Sequence, residues 1–314
     1  MMTYLAHRIG QAAIVLLLAF TASFLLLQAL PGDAILIKYQ NPEMGLSAEQ
    51  IAEIRLLYGA DAPLWVQYGN TLWNFAKGSF GYSMQAGVPV THVLAVNLPP
   101  TLKLASLAVV AAVVVAFALA FAATLAPFRW LRNALVTLPA LIVSVPVFWL
   151  GIMLIQIFSF RLRLVPIINP NEFQALVLPV LTLALPIAAP LAQILIQSLD
   201  QVEAQPFVSV ARAKGATRKG VLWRHVLRNA LLPVLTVAGL LFGELLAGAV
   251  VTETVFGING LGRVTEQAVS NQDTAVLQAI VLLAALGFVL INLIVDLVAP
   301  LIDPRLKRNL EVGA

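Results

Sequence analysis

The chain contains no cysteine, which excludes a disulfide framework, a thiolate nucleophile and a thiolate metal site. Charge is scarce. Only 11% of the 314 residues are Asp, Glu, Lys or Arg, against roughly a quarter in soluble domains, so too few charges remain to cover a water-facing surface. An ordinary cytosolic globular protein is therefore excluded. The three histidines, His7, His92 and His225, lie far apart and form no ligand spacing. No G-x-x-x-x-G-K-[ST] loop occurs, so nothing in the sequence would cradle a nucleotide phosphate. G-x-S-x-G and paired intramembrane acids at helical spacing are also missing, which leaves an intramembrane enzyme without a catalytic constellation.

What the sequence has in excess is apolar side chains, 60% of the total, with a mean hydropathy of +0.92. A membrane-spanning helix needs about 20 mainly apolar residues to cross about 30 Å of hydrocarbon. Six stretches qualify, at 9–30, 102–125, 134–160, 175–199, 230–251 and 279–301. The first has an apolar run too long for a signal-peptide core of about 7–15 residues and reads as a retained anchor. The chain is thus expected to be an all-α integral membrane protein of six transmembrane helices.

Orientation follows from Lys and Arg, which are retained in cytoplasmic loops. With the N-terminus inside, the inner segments hold Arg8, Arg129, Arg132, the basic residues between 212 and 228, and Arg305, Lys307 and Arg308. The outer segments hold Lys38, Arg55, Lys77, Arg161, Arg163 and Arg263. This two-to-one bias places both termini in the cytoplasm. Lys103 lies at the outer mouth of the second span. Residues 31–99 are then too long for a connector and should form a small extracytoplasmic cap between spans 1 and 2. The expected organisation is an N-terminal transmembrane helix over 1–30, the cap over 31–99, a five-helix core over 100–302 containing a cytoplasmic loop at 200–229, and a cytoplasmic tail at 303–314.

The inner loop reads QPFVSVARAKGATRKGVLWRHVLRNALLP. Val208, Ala211 and Ala213 with Gly215 form a small-residue helix end, because glycine supplies the left-handed conformation that stops a helix. A basic helix restarts over 216–227, with Val221, Leu222 and Val226 near one face. Helix, glycine turn and helix suit a docking element. The same basic residues would also hold the loop inside and bind anionic headgroups of the bilayer. A loop of this length tethered at both ends has no room for a groove-reading domain, so nucleic acid is not an expected partner.

This loop resembles the cytoplasmic docking loop, the EAA loop, of bacterial ABC importer permeases. The similarity is greatest to the dipeptide, oligopeptide and nickel branch, which reads like ARAKG followed by RHxLRNALLP. The same family order appears in LPGD at 30–33, DAPLWVQYGNTLWNFAKGSFGYS at 61–83, NLPPTLKLA at 97–105, VVTETVFGINGLGR at 250–263 and VDLVAPLIDPRLKR at 295–308. Three departures stand out: Ser209 occupies the position of the glutamate that names the loop, the generic Ile-x-Leu-Pro ending falls at His225 to Arg228 with the proline displaced to Pro233, and Lys103 stands where the branch commonly has a glutamate.

The resemblance implies a type I ABC importer permease-like fold in the bacterial inner membrane. It implies a second homologous permease, two ATPase subunits that bind ATP and Mg, and an extracytoplasmic solute-binding protein. No cofactor is then expected in this chain, which would be a non-catalytic subunit. The coupling helix would comprise Val208, Ser209, Ala211, Arg212, Ala213, Lys214, Gly215 and Ala216, seated in a groove on an ATPase. Cargo would be a peptide or related small solute, with nickel, a metal chelate, glutathione and an antimicrobial peptide all compatible. The alternative is a self-contained ion-coupled secondary transporter, which would show an inverted repeat and unwound spans at matching positions; neither is visible in the sequence.

Acids inside spans cost several kcal/mol near a helix centre and face protein or a water-filled path. Glu244 is expected either to line the translocation path or to pair with Lys103, and Asp296 to be structural. Pro139, Pro146, Pro179, Pro186 and Pro190 each remove a backbone donor and favour a kink. Trp65, Tyr68, Trp73, Phe75 and Phe80 read as the core or interfacial belt of the cap, with a binding-protein contact as the second reading.

Overall fold

The computed structural model describes residues 2–28, 47, 49–50 and 62–302. Expectations for LPGD at 30–33, for most of the segment 47–59 and for the tail at 303–314 lie outside these residues. The named elements are all helical: α1 Met2–Gln28, α2 Leu64–Ala76, α3 Val90–Leu125, α4 Arg129–Val143, α5 Val147–Leu154, α6 Glu172–Glu203, α7 Pro206–Ala213, α8 Arg218–Val221, α9 Leu227–Phe256, α10 Leu261–Ser270 and α11 Thr274–Ile302. Stretches of π-helix extend α5 over Ile155–Arg161 and join α8 to α9 over Leu222–Val226. In hydrocarbon every backbone N–H and C=O must be satisfied within the protein, and helices do this segment by segment.

Among the described residues five helical stretches are long and apolar enough to cross a membrane: His7–Gln28, Val90–Leu125, Glu172–Glu203, Arg218–Phe256 and Thr274–Leu301. The expected third span at 134–160 is not one straight helix. It is a pair, Arg129–Val143 and Val147–Arg161, bent by 106°. Pro146 causes the break, because its ring disfavours a helical conformation at Val145 and it has no N–H to continue the ladder. Its own backbone is extended (φ −61°, ψ 138°), and its carbonyl accepts from Leu150 to start α5. Pro179, Pro186 and Pro190, by contrast, ride inside the single helix α6.

The chain divides into two compact units. The first comprises Met1–Arg8, Leu102–Phe256 and Leu290–Ala314. Its centre is α6, which packs against α4, α5 and α9 and buries Leu183, Ala184, Leu195 and Leu199. Along α3, Leu104, Ala108, Ala112, Ala116 and Ala120 recur every fourth residue and are all buried. Alanines at this spacing form one face and admit a close neighbouring backbone, the usual packing device where lipid removes a hydrophobic drive between helices.

The second unit comprises Ile9–Thr101 and Gly257–Val289. Val90, Leu94, Leu261, Ala268, Val276 and Leu277 form its core, with Phe75 and Phe80 against it. Phe20 and Phe24 of α1 meet Tyr68 edge-on, with centroids 5.5 and 5.4 Å away, and the Tyr68 hydroxyl shares a 2.9 Å hydrogen bond with Thr21. Thus Tyr68, Phe75 and Phe80 are packing residues, whereas Trp65 and Trp73 are exposed. One sequence expectation changes here. The helix of the second span starts at Val90, not at residue 102, and passes through Pro99 and Pro100; Asn97 and Thr101 donate to the carbonyls of Val93 and Asn97 at 2.8 and 3.3 Å beside them. Residues 62–101 also share their unit with α10 and the start of α11.

Candidate functional site

The loop at 200–229 is organised by its caps. After α6 ends at Glu203, Pro206 opens α7 at its first position, where a missing N–H costs nothing. Gly215 has φ +84°, and its N–H bonds to the Arg212 carbonyl at 3.0 Å while that of Ala216 bonds to Ala211 at 3.3 Å. These paired bonds define a Schellman stop, the geometry for which glycine is favoured. Thr217 then caps α8, its hydroxyl accepting from the Gly220 N–H at 3.2 Å. The restart at Arg218 comes two residues later than the sequence pattern implies.

Burial sorts the predicted coupling residues. Val208 is buried, as are Val221, Leu222 and Val226; together they seat the loop on its own unit. Ala211 is half-buried, and Ser209, Arg212, Ala213, Lys214, Gly215 and Ala216 are exposed. Val208 is therefore an anchor within this chain, and the surface offered outward is the remainder. Trp223, also exposed, stacks on Phe121 with centroids 4.7 Å apart.

The loop's cations divide into two groups. Arg212 reaches Glu203 at 3.5 Å, and Arg218 donates to the Thr124 carbonyl at 2.5 Å, satisfying one of the unpaired carbonyls at the end of α3. Lys214, Lys219, Arg224 and Arg228 make no side-chain polar contact among the described residues. On the neighbouring α4, the Nη2 group of Arg132 donates to both carboxylate oxygens of Asp200 at 2.8 and 2.7 Å.

The charges expected within or beside the spans find other partners. Lys103 donates to Glu172, so its pairing with Glu244 is not formed. Glu172 sits in the first turn of α6, behind an Asn171–Gln174 capping box, and sequence separation hid it. Glu244 is exposed on α9 and makes no polar contact among the described residues. Asp296 pairs with Arg8 at 2.9 Å, a structural role that ties α11 to α1.

Several polar positions were missed by the sequence pattern. Glu253 is fully buried near the end of α9, just beyond the apolar run that marks the span. Asp273 is buried and accepts from Ser83 at 2.5 Å, from the Gln85 N–H at 3.2 Å and from the Val276 N–H at 3.4 Å. It thus caps α11 and fixes the loop before α3, at the edge of a cavity of about 360 Å³ also lined by His92, Asn97 and Gln267. A polar residue directly preceding the apolar run of α11 was the available signal. Among the described residues no cluster of three or more His, Asp or Glu could hold a metal ion.

Comparison with known proteins extends over nearly the whole chain. Residues 108–308 match the family described as binding-protein-dependent transport system inner membrane component, and residues 1–105 match its N-terminal membrane component. The chain is 37% identical over 307 residues to the glutathione transport system permease protein GsiC of Salmonella choleraesuis strain SC-B67, covering 98% of this chain and 99% of that protein. It is 36% identical over the same length to GsiC of Escherichia coli strain K12, with the same coverage. In fold it is similar to a chain of the inward-facing MetNI methionine ABC transporter, with a TM-score of 0.56 at 17% identity, over 67% of this chain and 96% of that one.

Proposed function

The chain belongs to the binding-protein-dependent transport system inner membrane component family, and from that premise we propose how its exposed inner loop works. The protein is the permease component of an ABC importer, a multi-pass inner-membrane subunit. Its finer operation is our reading. The segment from Ser209 to Ala216 docks on an ATPase subunit in the cytoplasm, and ATP-driven closure of paired ATPases moves the helices joined to the loop. A second permease completes the translocation path, and a solute-binding protein delivers cargo from outside. Both termini lie in the cytoplasm.

The observation that carries this reading is the Schellman-stopped helix α7, held by Val208, with Ser209, Arg212, Ala213, Lys214, Gly215 and Ala216 exposed along it and its turn. A helix presented with small side chains around a glycine turn allows close backbone approach by a partner. Exposed Lys214 and Lys219 orient that approach. Glu244, exposed on an otherwise apolar span, is proposed to line the path, because an ionisable group facing lipid costs several kcal/mol.

The cargo is proposed to be a small peptide. Support comes from the peptide-branch loop signature and from relatives named for glutathione transport. Purification of the tagged chain in mild detergent from its native host tests the reading. Recovery of a second permease, ATPase subunits and hydrolysis stimulated by a loaded binding protein is the expected result. A chain that purifies alone and drives uptake under an ion gradient would overturn it.

A further inference from the structure

The buried side chains that seat the inner loop, Val208, Val221, Leu222 and Val226, are apolar. Apolar contact is non-directional, and on α7 itself a polar tie adds to it, Arg212 to Glu203 at 3.5 Å. Shorter polar contacts, to helices outside the loop, occur at the loop's two ends. At entry, Asp200 in the last turn of α6 is gripped by Arg132 in the first turn of α4, one Nη2 donating to both oxygens at 2.8 and 2.7 Å. At exit, Arg218 at the start of α8 holds the Thr124 carbonyl at the end of α3.

Stability does not account for the first contact. Arg132 and Asp200 are 41% and 43% exposed, a setting in which an ion pair contributes little. Its position does account for it: α4 is the first half of the bent pair, and the helix does not continue through the 106° break at Pro146 into α5. A helix released at one end and gripped at the other can be levered.

We propose that Arg132 and Arg218 are positioning residues that pass displacement of α7 into α4 and α3, with Arg132–Asp200 as the strut that moves the bent pair. This inference rests on the assignment of α7 as the ATPase-docking helix. The strut is a charge-assisted contact between two helices that also pack against one another. It makes the movement of α4 follow the loop and not merely accompany it.

The absence of cysteine allows a direct test in the complex purified with its partner subunits. Spin labels on Val136→Cys in α4 and Gln193→Cys in α6 report the separation of those helices with and without ATP plus vanadate. The parent pair is expected to keep its separation on nucleotide trapping, because the strut makes α4 follow α6. Arg132→Gln is expected to change that separation while retaining the ATPase subunits, and the exchange Arg132→Asp with Asp200→Arg to hold it constant again. A separation that stays constant in Arg132→Gln, or a shift in the parent, would overturn the strut. Failure of ATPase subunits to accompany the parent chain would overturn the docking assignment itself.

Discussion

Gly248 of α9 lies directly against Leu183 of α6: a Cβ built on Gly248 would stand 2.8 Å from Leu183 Cδ1. Leu183 is buried and has little room to swing away. The glycine is therefore a crossing point between the two helices that hold the first unit together. Gly248→Ala is expected to destabilise the protein by about 1–3 kcal/mol, the usual cost of overpacking. Adding Leu183→Ala should return part of that loss, since effects of touching residues do not add. Thermal unfolding in detergent measures both, and strictly additive losses would contradict the crossing.

Gly215 differs from Gly248 in what requires it. Nothing lies within 4 Å of a Cβ built there, but φ is +84°, a conformation costing about 1–2 kcal/mol for residues with a side chain. Gly215→Val is expected to leave the complex assembled while ATP is hydrolysed without uptake, and Gly215→Asn to retain most coupling. The ratio of solute transported to ATP hydrolysed in proteoliposomes checks this. Normal uptake by Gly215→Val would remove the loop from the coupling role.

These two glycines mark how far the sequence could be read. Gly215 was legible because a local rule governs it: a helix pattern, small residues and a glycine predict a stop. Gly248 was not, because its constraint comes from Leu183, sixty-five positions away and on another helix. The same division runs through the charges. The loop and the span lengths follow from local composition, whereas the partners of Lys103, Asp200 and Asp296 depend on which helices lie side by side. Pro146 was flagged, yet five span prolines look alike in sequence; only Pro146 falls where no helix continues through it.

Lys103 and Glu172 form an exposed pair at the start of α6. In a double-mutant cycle, Lys103→Ala with Glu172→Ala is expected to be non-additive at low salt, and the coupling should fade as salt rises. Lys103→Ala with Glu244→Ala should be additive. Coupling in the second cycle would restore the pairing that the sequence alone left open.

Arg8 and Asp296 are only about one-third exposed, so losing one partner strands a charge. Arg8→Ala is expected to cost about 1–3 kcal/mol, between the values for exposed and buried pairs. The double variant with Asp296→Ala should be less destabilised than either extrapolated sum. Denaturant unfolding checks this, and an additive pair would show that the contact contributes nothing.

The central claim is that the surface from Ser209 to Ala216 meets an ATPase. A benzophenone attached through Ser209→Cys, the sole thiol in an otherwise cysteine-free chain, tests it in intact membranes, with exposed Trp65→Cys as the comparison site. Photolysis is expected to join the chain to an ATPase subunit from position 209 and not from position 65. An ATPase adduct from position 65 alone, or from neither site while the purified complex hydrolyses ATP, would contradict the account.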